Sequence, residues 1–282
     1  MPSRTSLLLT LATPATGILV ATYFYNRPLL LPKSRKISST EELSHSFKNV
    51  SGRSLEIINP RNHAWTSDSR SITLRRSEIA KSRKDDGNEE GTEVGDEEIL
   101  ARFVKGFFRG WSFTPERGLL ALLARFGRKF IPVGYSVMEA IGEPLSLDGL
   151  SKTHLPEKGT VLFGGNFMIL DTHIAHPSSS TTTHSPPLGE KQSLGASCAD
   201  TGYQDPVISF VDIAFGDDRR NFAGLHRFEI RGEKEGEIII WYSSMSCNPS
   251  IDKAPFPKWV FGFHVWYAMC LFKDGVEEVI RG

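Results

Sequence analysis

The last segment of the chain, residues 254–281, constrains its fold more than any other stretch. Two prolines stand near its start, where a helix tolerates proline best. Between residues 259 and 272 only Gly262 and His264 are not plainly apolar. The pattern predicts a long helix with apolar side chains on nearly every face. Such a helix has to be buried, whether against a curved sheet, a lipid surface or a partner.

Charge and cysteine content exclude several classes of function. The 282-residue chain carries 33 basic and 33 acidic residues, so its formal net charge is +0. This balance removes the usual electrostatic reason to expect nucleic acid as a partner. The three cysteines, Cys198, Cys247 and Cys270, are widely spaced and form no C-x-x-C pair. They predict neither a disulfide framework nor a zinc site.

An uncharged, moderately apolar segment at residues 7–25 lies near the N-terminus. Because about 20 apolar residues span a bilayer as a helix, residues 1–36 are predicted to form a membrane anchor. More basic residues follow the segment than precede it, which predicts that the rest of the protein lies on the cytoplasmic side. A mitochondrial presequence is an alternative, since no acidic residue occurs before Glu41, and a cleaved secretory signal is another.

Three further stretches are too polar to build a core. Residues 37–69 are interpreted as a polar linker, while residues 81–96 are acidic and glycine-rich and residues 173–203 are rich in Ser, Thr and Pro. Segments with few apolar side chains cannot offset the entropy lost on ordering. We therefore expect a folded domain at residues 70–282 that contains two disordered insertions.

Within that domain the spacing of apolar residues changes from helical to strand-like. A short strand at residues 72–74 precedes two helices, at residues 97–109 and 114–129. Further strands are predicted at residues 135–141, 160–170, 206–215, 223–231 and 237–246. Paired glycines at 164–165 predict a bulge or a sharp bend in the second of these strands.

This order of elements predicts an α+β fold of the helix-grip type. A curved antiparallel sheet would wrap around the long C-terminal helix, with two short helices after the first strand. The space between the sheet and that helix would form an apolar cavity.

Four segments within residues 71–281 carry a family resemblance. They are F-V-D-I-A-F-G, G-L-H-R-F-E-I, S-S-M-S-C-N-P and L-F-K-D-G-V-E-E-V. With the order of elements, they resemble fungal members of the START-like, or helix-grip, superfamily, which includes polyketide cyclases and birch-pollen-allergen-like proteins. The resemblance implies a deep pocket for a lipid, sterol or polyketide-like ligand. It implies no catalytic residues, because the superfamily shares no universal catalytic set.

Six side chains are candidates for holding such a ligand. They are Arg227, Glu229, Tyr242, Trp259, Phe263 and His264. Arg227 and Glu229 share one face of a strand and would hold a polar head group, or else pair with charges on neighbouring strands in solvent. His264 is the titratable group in the middle of the last helix, suited to hydrogen bonding or acid–base chemistry. Trp259 and Phe263 would form apolar walls. Tyr242 lies on one of the two faces of its strand, and the pattern does not show which face lines the pocket.

Metal and catalytic motifs give little further guidance. Asp171, His173, His176 and His184 are metal-ligand residue types, but they fall at a predicted loop and chance explains them better than a site. No G-x-S-x-G, H-E-x-x-H or Walker sequence occurs. We therefore predict no cofactor.

The sequence thus predicts a membrane-tethered module that binds an apolar small molecule in the cavity. One alternative is an enzyme on the same scaffold, a cyclase, isomerase or hydrolase, with His264, Arg227 and Glu229 as its polar groups. Another is a structural or assembly factor whose apolar helix docks onto a partner.

Overall fold

The protein is an α+β fold built on one eight-stranded mixed sheet, seen in a computed structural model. The structure describes residues 35–49, 52–79, 93–128, 132–175, 208–233 and 236–282. The strands are β1 (Ser38–Thr40), β2 (Trp65–Arg75), β3 (Ile141–Leu145), β4 (Thr160–Leu162), β5 (Phe167–His173), β6 (Ile208–Gly216), β7 (Ala223–Gly232) and β8 (Glu237–Cys247). The helices are α1 (His45–Asn49), α2 (Gly52–Ile58), α3 (Asp96–Arg109), α4 (Thr114–Arg125) and α5 (Lys258–Arg281).

The strands lie in the order β1-β2-β8-β7-β6-β5-β4-β3. All neighbours are antiparallel except β3 and β4, which are parallel. The sheet is therefore mixed, whereas the sequence predicted a purely antiparallel one. Strands β6, β7 and β8 follow one another and pair along most of their length. Directly opposed residues share a face of the sheet, so His226 on β7 and Asp68 on β2 face the same side as Ser244 between them.

One face of the sheet is covered by α3 and α5. Their phenylalanine rings pack edge to face against the sheet, as in the pair Phe103 and Phe228, whose centroids are 5.3 Å apart. Phe103 also meets Phe272 of α5 at 5.5 Å. Such ring pairs stabilise a core beyond the area that they bury. The predicted α+β class, with a C-terminal helix that packs on a sheet, is therefore confirmed.

Glycines allow α3 and α5 to approach closely. A Cβ atom added at Gly106 would lie 2.7 Å from the carbonyl oxygen of Asp274. One added at Gly275 would lie 2.3 Å from the ring of Phe103. The two helix backbones are therefore in contact where larger side chains would hold them apart.

The opposite face is covered by α1 and α2. Phe47 and Ile58 are fully buried there, against Leu225 and Met245 of the sheet. These helices, together with β1 and the first part of β2, lie in residues 37–69, which the sequence predicted to be a polar linker. The fold thus has helices on both faces of its central strands.

Several boundaries differ from the prediction. Residues 135–141 form an isolated bridge between Tyr135 and Met138, and the strand β3 begins only at Ile141. The predicted strand at 160–170 is divided into β4 and β5. Gly164 and Gly165 lie between them with φ of 68° and 94°, so the glycines make a tight turn and not a bulge.

The prediction of a membrane-anchored protein is wrong for the part of the chain that the structure describes. None of the described helices is long and apolar enough to cross a bilayer. Residues 7–25, on which the prediction depended, lie outside the described residues, as do residues 81–92 and 176–203 of the two predicted insertions.

Candidate functional site

A partly open cavity of about 130 Å³ lies between the sheet and the helices α3, α4 and α5. Its lining is mostly aromatic, with a few polar side chains from four different elements. The lining includes Phe215, Ala268 and Leu271 together with the polar side chains of Glu116, His226, Tyr242, His264 and Tyr267. Apolar walls with a small number of placed polar groups are typical of small-molecule sites.

The floor of the cavity carries a hydrogen-bonded pair from two neighbouring strands. The hydroxyl of Tyr242 on β8 and Nδ1 of His226 on β7 are 3.0 Å apart. Aromatic rings surround the imidazole, and the nearest, Phe215, has its centroid 4.6 Å away. Burial, followed by the nearby His264, lowers the pKa of His226 to about 3, so this imidazole is neutral at physiological pH. Burial also raises the pKa of Tyr242, which therefore stays protonated.

A second pair joins α4 to α5 at the side of the cavity. The hydroxyl of Tyr267 donates to Oε2 of Glu116 at 3.1 Å. Burial raises the pKa of Glu116 from its ordinary value, although the hydrogen bond from Tyr267 and the charge of His264 oppose that shift. Burial and the adjacent Glu116 raise the pKa of Tyr267. The side of the cavity therefore holds a phenol and a carboxyl group that keeps its proton to a higher pH than usual.

A third group links β2 to α5. Nε2 of His264 lies 3.3 Å from Oδ1 of Asp68, whose side chain is only 1% exposed. The other carboxylate oxygen of Asp68 lies 3.0 Å from Nη1 of Arg70. Arg70 also donates to the carbonyl oxygen of Val265 on α5, at 2.7 Å. This contact fixes the helix turn that carries His264 relative to the strand that carries Asp68.

Two of the six predicted ligand-binding residues, Tyr242 and His264, lie in the cavity lining. Trp259 and Phe263 lie on the first turns of α5 with 78% and 61% of their surfaces exposed. The Phe263 ring stacks on Tyr267, with centroids 6.1 Å apart, and so covers that residue from outside. The wide apolar surface of α5 therefore faces the core only in its C-terminal part, and its first turns reach solvent.

The other two predicted residues, Arg227 and Glu229, lie on the opposite face of the sheet, beneath α1 and α2. Nε and Nη2 of Arg227 donate to the two oxygens of Asp212 at 2.7 and 2.8 Å. Both side chains are at most 1% exposed. The Arg227 guanidinium also lies over the Phe210 ring, 3.8 Å from its centroid. Arg227 is therefore paired with a neighbouring strand, as the alternative interpretation proposed, but inside the protein and not in solvent.

Glu229 is held by donors from its own strand, from α1 and from the residue that precedes α1. Its Oε1 accepts from Nε of Arg231, and its Oε2 accepts from the hydroxyls of Ser44, at 3.1 Å, and Ser46. Asp212 accepts from the hydroxyl of Ser54 in the same way, at 2.7 Å. We call Ser44, Ser46, Ser54, Asp212, Arg227, Glu229 and Arg231 the buried charge cluster.

Sequence reasoning missed several polar residues of the site: Glu116, His226 and Tyr267 line the cavity, and Asp68 lies beside His264. Asp68 fell within the predicted linker, and Glu116 was interpreted only as the start of a helix. For His226 a signal existed, because it alternates with Arg227 and Glu229 and therefore had to face the other side of the strand. The pattern did not show which side carries the cavity.

The residues predicted to resemble metal ligands are not gathered into a site. Asp171 pairs with Lys158 at 3.0 Å, and His173 packs on Phe210. His176 and His184 lie outside the described residues. Within the described ranges, no group of three or more His, Cys, Asp or Glu side chains is placed to hold a metal ion.

No family model, no curated protein and no solved structure matches this chain. The START-like resemblance drawn from the sequence stays a prediction.

Proposed function

We propose that this protein binds an apolar small molecule in the cavity between the sheet and α5. The supporting observation is the cavity itself, a partly open space of about 130 Å³ that opens onto aromatic side chains. A dry apolar cavity of about 150 Å³ is known to hold benzene, and this cavity is slightly smaller but partly open, so we expect a ligand with a ring-sized group. Typical drug-sized sites are larger, about 300–1,000 Å³, so a whole sterol or lipid would have to widen the cavity or extend out of it.

The helix-grip interpretation of the fold belongs to the same proposal. In support of it, the first long strand, β2, pairs with the last one, β8, and two helices separate β2 from the remaining strands. The chain then ends in α5, which packs against the sheet through residues such as Phe272. A cavity at this position is what the START-like resemblance leads us to expect.

The polar groups in the lining narrow the ligand's chemistry. Glu116, Tyr267 and His264 offer hydrogen bonds in the lining of a mostly apolar space. A ligand with one polar atom on a ring or short chain would pair that atom and bury the rest. We therefore expect an apolar compound with a single hydrogen-bonding end.

Ligand-detected NMR with benzene, cyclohexanone and a fatty acid tests the proposal, with a variant that fills the cavity. Ala268 lines the cavity and is 1% exposed, so Ala268→Met should occupy the space and weaken binding of the ring-sized probes at least about tenfold. Ala121→Met, at an exposed position of α4, is the control and should bind as the unmodified protein does.

Two results would contradict the proposal. One is that neither benzene nor cyclohexanone binds. The other is that the Ala268→Met and Ala121→Met proteins bind these probes equally. Mass spectrometry of organic extracts from the purified protein then identifies the compound that it carries.

A further inference from the structure

We propose that the cavity is also an acid–base catalytic site for an apolar carbonyl compound, with His264 as the base and Glu116 as the acid. The reaction class is proton transfer at the carbon next to the carbonyl group. This inference rests on the proposed binding of an apolar small molecule, and adds a substrate class and an activity to it.

His264 has the surroundings of a general base. Asp68 lies 3.3 Å from its Nε2, and Ser244 Oγ lies 3.5 Å from the same atom. Both contacts use Nε2, so Nδ1 is the ring nitrogen without a protein partner in the described part of the chain. A buried carboxylate beside an imidazole stabilises the positive charge that forms when the ring takes a proton. Asp68 is therefore a positioning residue.

Glu116 has the surroundings of a general acid. Tyr267 donates to one of its oxygens at 3.1 Å, which leaves the other oxygen to donate its proton to a ligand. Burial favours the protonated carboxyl over the carboxylate. His264 and Glu116 both line the cavity and come from α5 and α4, so a ligand in the cavity can contact both the base and the acid.

The floor pair is suited to a different role. Because burial lowers the pKa of His226 to about 3, this imidazole is a poor base at neutral pH. Tyr242 holds its proton and is bonded to His226. These two side chains therefore form the polar part of the cavity floor. His264 and Glu116 are the groups that transfer protons.

The proposed step conserves atoms and electrons. His264 takes a hydrogen, as a proton, from the carbon next to the carbonyl. The C–H pair becomes a carbon–carbon double bond, and the carbonyl pair moves to oxygen, which takes the proton of Glu116. The products are an enol, an imidazolium beside Asp68 and a glutamate beside Tyr267. Return of a proton to carbon exchanges hydrogen or shifts a neighbouring double bond, without any oxidant or reductant.

The pH dependence of this step involves every ionisable group around His264. Those groups are Asp68 and Arg70 from β2, His226 from β7, Tyr242 from β8, Glu116 from α4 and Tyr267 from α5. The step needs His264 neutral and Glu116 protonated. Because burial raises the pKa of Glu116, turnover should persist above the usual pKa of a carboxyl group and fall as the pH rises further and Glu116 ionises.

Hydrogen–deuterium exchange of cyclohexanone in D₂O provides the test, with binding measured on the same samples by saturation-transfer NMR. The protein should speed loss of the hydrogens next to the carbonyl, and His264→Asn or Glu116→Gln should slow that exchange by about 10²-fold or more. His154→Asn is the matched control, since His154 is 76% exposed and is not part of the lining, and should change nothing. Asp68→Asn should shift the pH profile as well as the rate.

The outcomes separate the two proposals. Binding with exchange that depends on His264 supports both. Binding with equal exchange by the unmodified and His264→Asn proteins overturns the acid–base inference and leaves the binding proposal intact. Failure of both cyclohexanone and benzene to bind overturns both. Circular dichroism of each variant shows that it is folded, and Glu116→Asp, which keeps the carboxyl group, should restore part of the exchange that Glu116→Gln loses.

Discussion

The two faces of the central sheet both bury ionisable side chains, but they do so in different ways. Under α1 and α2, the charged groups of the buried charge cluster are paired with one another at hydrogen-bonding distance, as Arg227 and Asp212 are. Under α3, α4 and α5, polar groups such as His226 and Glu116 border an open space. A buried charge is therefore not by itself a sign of a binding site. Open space next to a polar group is the more informative observation.

Electrostatics explains why the charged groups of the buried charge cluster are paired and hydrogen-bonded. Taking an ion pair out of water costs several kcal/mol per ion, and the attraction within the pair offsets this only when the remaining hydrogen bonds are also made. Ser54 makes such a bond to Asp212, and Ser44 and Ser46 make them to Glu229. The α1–α2 segment that supplies these serines therefore provides hydrogen bonds that the buried carboxylates of the sheet need.

The largest effect is expected from breaking the cluster. Arg227→Met leaves Asp212 buried without its partner and should lower the free energy of unfolding by about 3–5 kcal/mol. Adding Asp212→Leu should recover much of this loss, because the uncompensated charge is then gone. Urea unfolding followed by circular dichroism measures each value.

A surface pair is the control for that experiment. Arg281 pairs with Glu277 at 2.7 Å near the end of α5, with 59% of its side chain exposed. Arg281→Met should cost at most about 0.5 kcal/mol. A cost below about 1 kcal/mol for Arg227→Met would show that the cluster is not held as tightly as the structure indicates.

The next effect, of about 2 kcal/mol, comes from the cavity face and depends on pH. The folded pKa of His226, about 3, lies below the unfolded value of 6.5, so its contribution is present above pH 6.5 and is lost as the pH falls toward 3. Between pH 7 and pH 5 this one group should lower the free energy of unfolding by about 2 kcal/mol.

The variant His226→Gln isolates that contribution. Glutamine keeps a hydrogen bond within reach of Tyr242 but does not titrate. Between pH 7 and pH 5 the free energy of unfolding of the His226→Gln protein should therefore fall by about 2 kcal/mol less than that of the unmodified protein. Urea unfolding at the two pH values gives both differences. Equal losses in the two proteins would mean that His226 is protonated in the folded state and that water reaches it freely.

Two tyrosine variants compare the two faces of the sheet through smaller changes in the free energy of unfolding. Tyr135 donates to the carbonyl oxygen of Phe215 at 2.6 Å and packs with the α1–α2 side, whereas Tyr242 bonds to His226 at the cavity. Tyr135→Phe leaves a buried acceptor without a donor and should cost about 1–3 kcal/mol in urea unfolding. Tyr242→Phe should cost about 1 kcal/mol, because a single water molecule in the cavity can replace the lost hydroxyl without exposing His226 to bulk solvent. A larger cost for Tyr242→Phe than for Tyr135→Phe would indicate that the open space lies on the α1–α2 side of the sheet.

The fold was predictable where apolar periodicity is strong. The helix at residues 97–109 agrees with α3, and the strands at 223–231 and 237–246 agree with β7 and β8, because long regular patterns leave few alternatives. The helices α1 and α2 were missed because Ser44, Ser46 and Ser54 point inward. A pattern that treats serine as exposed interprets such a segment as a linker, although here the serines bond buried charges.

The candidate site was predictable only in part, since alternation along a strand gives two faces without naming them. Tyr242 and Ser244 had to share a side, but only the tertiary structure shows that this side carries the cavity. Asp68 and His264 are far apart in sequence and meet through the pairing of β2 with β8 and the packing of α5. No local signal could have joined them.

The smallest effect is expected at Trp259, a predicted cavity wall that the structure leaves 78% exposed. Trp259→Ala should change the free energy of unfolding by no more than about 0.5 kcal/mol and leave binding of cyclohexanone unchanged. Leu271→Ala is the contrasting change on the same helix, because Leu271 lines the cavity and is 5% exposed. It should cost about 2–5 kcal/mol and alter binding of the probe. If Trp259→Ala instead abolishes binding while Leu271→Ala does not, the ligand binds on the exposed turns of α5, and the contrast between an open and a closed face of the sheet no longer accounts for where this protein acts.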